Sequence, residues 1–175
     1  MAGIGLITFE RGFSGAEKEF SETLRLNPDF AKAHIGYGLI FIARDLPAEA
    51  MAHMKRAAEL EPLESICAIG PGYVPLYYRQ DDHGVAAFRK VLNVDPNFLY
   101  ARLYLGQAYV QNKKLDEAIS EFERGVRDSG GNPIAVGHLG YAYGVAGRQA
   151  EAEKQLSKLN ELSKSRFVPP FCMAQ

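Results

Sequence analysis

The chain has 175 residues, 47% apolar and 23% charged, a balance close to that of soluble domains with a packed core. Its net charge of −1 excludes the basic footprint of a nucleic-acid binder, and no apolar run is long enough to cross a bilayer. The opening Met1-Ala2-Gly3-Ile4 carries no basic stretch, so no secretory signal is expected, the expected compartment is the cytoplasm, and Cys67 and Cys172 are expected as reduced thiols.

A fixed period organises the chain. Gly38, Gly72, Gly106 and Gly140 stand 34 residues apart, and so do the small residues Ala16, Ala50, Gly84, Ala118 and Ala152. A large apolar residue follows each of these four positions on: Phe20, Met54, Phe88, Phe122 and Leu156. Each unit therefore holds two helical patterns, a first and a second helix. In chain order, a first helix at about 2–12 ends near Gly12, and Ser14 with Glu17 forms a capping box that opens a second helix at 14–26. Asn27-Pro28-Asp29 closes it, because proline excludes the helical conformation from the residue before it. First helices follow at 30–44, 64–79, 98–112 and 133–146, and second helices at 47–60, 82–94, 115–128 and 148–163. Pro47 suits a first turn, and Asp81-Asp82-His83 reads as N-capping rather than as a metal or acid–base site. Glycine costs about 1 kcal/mol inside a helix, so the glycine column marks a close helix crossing. In the third unit Gly70-Pro71-Gly72-Tyr73-Val74-Pro75 sets two prolines into a first helix, which is expected to kink or start late. No strand is expected.

The columns resemble the tetratricopeptide repeat, whose pattern W-x2-L-G-x2-Y…A-x3-F…P has this period. The best copy reads Arg102, Leu105, Gly106, Tyr109, Ala118, Phe122; others read Val136, Leu139, Gly140, Tyr143, Ala152, Leu156 and His34, Tyr37, Gly38, Phe41, Ala50, Met54, Pro62. No copy has the tryptophan. The resemblance implies an all-α, right-handed α-α superhelix: one array with a truncated repeat at 1–30, repeats at 31–64, 65–98, 99–132 and 133–166, and the start of a further helix at 167–175. The segments FSGAEKEFSETLRLNPDFAKAH and SKSRFVPPF also resemble the repeat arrays of large bacterial regulatory proteins.

Such an array implies a scaffold that holds a protein or peptide, with the first helices lining its concave side. Three rows are the candidate binding surface: Lys32, Ile66, Tyr100, Ile134; Leu39, Tyr73, Gln107, Tyr141; and Ile42, Leu76, Val110, Gly144, with Tyr77, Gln111 and His138 beside them. Tyr73, Tyr100 and Tyr141 are expected outside the core. The rows are apolar and aromatic with Lys32 nearly alone, which fits a hydrophobic or amphipathic partner segment rather than a carboxylate clamp. Neither nucleic acid nor membrane is an expected partner. His34, His53, His83 and His138 lack zinc spacing, and Cys67 has no partner base, so no metal, cofactor or catalytic activity is expected. Two other readings remain: a substrate-recognition array of a larger enzyme, and a self-assembling spacer. The ends lack polar caps, so they are expected to bury apolar surface against another copy, or the C-terminal segment is expected to fold back over the helix at 148–163.

Overall fold

Proline, glycine and their neighbours punctuate the chain, and in the computed structural model they fall where helices start and turn. Residues 3–79 and 81–172 are described, with side chains from residue 15 onward except those of Asp81 and Phe171. The described residues are helical and contain no strand. They fall into two compact units, residues 1–78 and 79–175.

In the first unit, α1 (Gly3–Leu26) runs as one helix through the break predicted at Gly12. Nothing in that segment forbids it: proline is absent and a helical glycine costs only about 1 kcal/mol. Ile4, Ile7, Phe9 and the side chain of the Ser14 box lie outside the described side chains. Asn27 Oδ1 accepts the Asp29 N–H at 3.2 Å and turns the chain into α2 (Ala31–Ala43). At the far end of α2, Asp45 adopts a left-handed φ of 58°, and the Leu46 N–H donates to the Phe41 carbonyl at 2.9 Å. Pro47 then opens α3 (Pro47–Leu60), where its missing N–H costs nothing.

Gly38 in α2 faces Met54 in α3, where an added Cβ would lie 2.7 Å from the methionine Cε. Gly38, and likewise Gly106 against Phe122, thus makes room for the large residue of the second helix at the close crossing. Ile42, Ala50, Met54 and Val74 form one core cluster, and Ala31, Ala57 and Cys67 another. The predicted kink is present. The third first helix divides into α4 (Ser65–Ala68) and α5 (Gly70–Tyr77) around Ile69, with Pro71 in the first turn of α5 and Pro75 buried inside it.

The second unit contains α6 (Asp81–Val94), α7 (Leu99–Gln111), α8 (Leu115–Asp128), α9 (Pro133–Val145) and α10 (Gln149–Ser163). Lys113 and Gly147 turn its hairpins with φ of 59° and 71°. Ala118, Ile119, Phe122 and Gly125 form the buried stripe of α8. Phe122, fully buried, sits against Gly106 on one side and stacks on the His138 ring at 5.4 Å and 12°. Tyr109 and Tyr143 each reach back to the preceding second helix: Arg89 donates to the Tyr109 hydroxyl, and the Tyr143 hydroxyl donates to Glu123 at 2.6 Å.

The C-terminal segment folds back, and it forms a 3-10 turn at Pro170–Cys172 rather than a helix opening there. Cys172 joins Val136 of α9 and Leu159 of α10 in a buried cluster, flanked by Ile134, Leu162 and Val168. Gln155, not Leu156, faces Gly140, and Leu156 is 45% exposed where Phe122 in the preceding repeat is 0% exposed.

Candidate functional site

The slot that holds tryptophan in the repeat pattern is filled by a polar pair in two copies. Arg102 is 3% exposed; it donates to Glu121 Oε2 at 2.7 Å and to the Pro96 carbonyl, with Asp128 at 3.8 Å. His34 repeats this arrangement 68 residues earlier, with Nε2 3.0 Å from the Pro28 carbonyl and Nδ1 3.0 Å from His53 Nδ1. The Pro28 carbonyl only accepts, so His34 carries its proton on Nε2, and His53 donates from Nδ1. Burial first, and then the neighbouring His34 ring, pushes the His53 pKa down. These groups tie the turn to the hairpin and are structural. The Cys67 thiol is pushed up to about 11 by burial and by Glu61 and Glu64, the opposite of an activated nucleophile. Among the described residues no three His, Cys, Asp or Glu side chains converge as a metal site.

The predicted surface separates into exposed and buried residues. In the first unit Lys32, Leu39, Ile66 and Tyr77 are exposed. Ile42 and Leu76 are buried, Ile42 in the cluster with Met54, which removes both from a free surface. Tyr73, expected outside the core, is half-buried and packs on that same cluster. The cause is the break at Ile69: a helix interrupted there does not carry the phase of residues 65–68 into residues 70–77. Ile134 in the second unit is likewise half-buried, against the Val136 cluster.

The second unit brings the remaining candidates together. Tyr100 and Tyr141 are 43% and 41% exposed, as expected. Gln107, Val110 and Gln111 from α7 and His138 and Tyr141 from α9 line a recess of about 250 Å3. Tyr141 also borders a wider cleft between α9 and α10, lined by Gly140, Gly144, Val145 and Leu156 among others. His138 is 8% exposed; burial pushes its pKa down to about 4, so at neutral pH its ring is uncharged. Its Nδ1 has no hydrogen-bond partner among the described residues. The recess is thus lined by side chains without formal charge, with the part-exposed Tyr141 ring among them.

An arrangement of repeated helix pairs, with shared columns of glycine and large apolar residues and an aromatic face on its first helices, defines a helical-repeat scaffold. The chain belongs to the tetratricopeptide repeat family, which matches residues 9–65 and 74–133. It is similar to a thermophilic tetratricopeptide repeat protein of Thermus thermophilus, with 17% identity, a TM-score of 0.78, and coverage of 93% of this chain and 89% of that one. It is also similar to YrrB, a tetratricopeptide repeat protein with an unusual peptide-binding site, with 19% identity, a TM-score of 0.60, and coverage of 93% and 84%. Protein bimA of Emericella nidulans is 23% identical over 98% of this chain, which spans 22% of that protein's length. The fold is that of a tetratricopeptide solenoid, and the family's proteins are generally non-catalytic scaffolds that bind protein or peptide partners. No helix among the described residues is long and apolar enough to cross a membrane.

Proposed function

We propose that the chain holds a hydrophobic or amphipathic segment of a partner protein on the exposed face of its first helices, without chemistry of its own. Tyr100 and Tyr141 are the anchors, both on first helices of the second unit; Leu39, Ile66 and Tyr77 are exposed apolar residues of the first unit taken by itself. The observation that carries this reading is the exposure of both tyrosines on the first helices, with Tyr141 lining a recess that has no formally charged side chain. Large rings left in water on a packed hairpin lose little conformational entropy when covered and contribute strongly to binding. The peptide-binding site of YrrB lies on the same fold, which supports the class of ligand. The setting is a bacterial regulatory or signalling protein in the cytoplasm, in keeping with the segments that resemble such arrays.

The test is affinity capture with the intact chain, followed by mass spectrometry, beside a Tyr100→Ala, Tyr141→Ala double variant. The expected result is a partner retained by the parent chain and lost from the variant, with unchanged helicity. A partner retained equally by both would place binding elsewhere.

A further inference from the structure

Position 89 carries the opposite charge from its counterpart one repeat later. Glu123, 34 residues on, accepts from the Tyr143 hydroxyl at 2.6 Å. Arg89 instead donates to the Tyr109 hydroxyl through Nε at 3.1 Å and again through Nη2, which pins its guanidinium beside the phenol. A guanidinium has five N–H donors, so three remain, and among the described residues no acceptor meets them. The neighbouring carboxylates serve other arginines: Glu121 lies 2.7 Å from Arg102, and Asp128 lies 3.8 Å from Arg102 and 3.7 Å from Arg124. Arg89, Asn93, Arg102, Tyr109, Glu121 and Arg124 line a single cleft of about 310 Å3 formed by α6, α7 and α8. Arg102 and Tyr109 are buried in its wall, at 3% and 4% exposure, whereas Arg89, Asn93 and Arg124 are exposed.

Charge and size select the occupant. Three guanidinium groups stand against Glu121 in the lining and Asp128 beside it, a surplus of one positive charge that resides on Arg89. A cation is therefore disfavoured, and an anion gains charge-assisted hydrogen bonds from a guanidinium already held in place. The volume is at the lower end of the about 300–1,000 Å3 of small-molecule sites, which suits a small ion with its waters rather than a large cofactor. Arg89 and Asn93 stand one turn apart on α6 and Arg124 stands on α8, so donors approach from two helices. A tetrahedral oxyanion has acceptor oxygens for both sides, whereas a carboxylate has two in one plane. We propose that this cleft binds a small oxyanion of the phosphate class, with Arg89 as its principal ligand and Asn93 and Arg124 completing the rim. The site is separate from the tyrosine surface and stands or falls without it.

The test uses the full chain labelled with 15N, titrated at constant ionic strength with inorganic phosphate, methyl phosphate, acetate and chloride. The Nε–H signals of Arg89, Arg124 and Arg148 are identified by their loss in Arg89→Met, Arg124→Gln and Arg148→Gln. Phosphate is expected to shift Arg89 and Arg124 saturably and to leave Arg148, which donates to Glu151, unmoved. Chloride is expected to cause no saturable shift. Acetate, with less charge and fewer acceptor oxygens, is expected to bind on the order of tenfold more weakly. Arg89→Met is expected to abolish the phosphate response of Arg124. Asn93→Asp, which keeps the Arg89–Tyr109 contact and sets a carboxylate on the rim, is expected to weaken phosphate on the order of tenfold. Methyl phosphate separates the sources: binding equal to phosphate assigns a phosphoryl group carried on a small molecule, its exclusion assigns the free ion, and both uphold the site. Acetate or chloride saturating as tightly as phosphate, an Arg124 response unchanged in Arg89→Met, or no saturable response to phosphate would overturn the proposal.

Discussion

Gly106 faces Phe122 with no room for a methyl group: a Cβ on the glycine would lie 2.4 Å from the ring carbon Cε1. Phe122 is fully buried and stacked on His138, so it has nowhere to retreat. Overpacking of this kind costs about 1–3 kcal/mol or more. Gly106→Leu is expected to lower the melting temperature by several degrees, while Lys113→Leu, an exposed change, leaves it within about 1 °C. Equal melting temperatures would show that the crossing yields.

The residue that turns each hairpin gives a prediction of the opposite sign. Asp45, Arg79, Lys113 and Gly147, spaced 34 residues apart, all have φ between 55° and 71°. A side chain at such a φ costs about 1–2 kcal/mol, against about 0.5–1 kcal/mol of extra unfolded-state entropy for glycine. Lys113→Gly is therefore expected to stabilise the chain by about 0.5–1 kcal/mol, read as a raised midpoint in urea denaturation. Asp45→Gly is expected to act in the same direction.

This column also shows where sequence reading stopped. The 34-residue period, the helix pairs and the broken third repeat were legible because glycine, proline and large apolar residues each have one steric meaning. The left-handed column was not, since Asp, Arg and Lys share no side-chain property there and only Gly147 carries a signal. The partly buried pairs Arg102–Glu121 and His34–His53 were also missed, although both have the same separation of 19 residues, a spacing that complementary side chains could have revealed. Of the candidate surface, Tyr100 and Tyr141 lie outside the core, as the rows implied. Ile42, Leu76 and Tyr73 did not, because extrapolating a row assumes unbroken helical phase and takes no account of how far a neighbouring helix covers it.

Removing Arg102 alone leaves Glu121 half-buried and unpaired. Arg102→Ala is expected to destabilise the chain by about 3 kcal/mol, as for other broken buried pairs, whereas Arg102→Leu combined with Glu121→Leu recovers most of the loss. Urea midpoints of Arg102→Leu, of Glu121→Leu and of the double variant, beside Arg102→Ala, check this. Additive losses would show that the pair contributes through packing rather than charge.

Acid should unfold the chain partly through His138. Its pKa is about 4 in the folded chain against 6.5 for an ordinary histidine, so between those values the unfolded state binds the proton and the folded state does not. The contribution is full above pH 6.5 and is lost as pH falls towards 4, on the order of 3 kcal/mol in all. His53, also pushed down, acts in the same direction. His138→Phe keeps a ring on Phe122 and is expected to flatten the fall in urea midpoint between pH 6.5 and 4.5.

The central claim, that partners dock on the first-helix face, is tested most directly by where they can be trapped. A photo-reactive phenylalanine analogue is placed in turn at Tyr141 on α9, at Tyr100 on α7, and at exposed Arg124 on the second helix α8. Irradiation with the captured partner is expected to cross-link it from Tyr141 and Tyr100 and not from Arg124. Cross-linking from Arg124 alone, or equally from all three, would contradict the account.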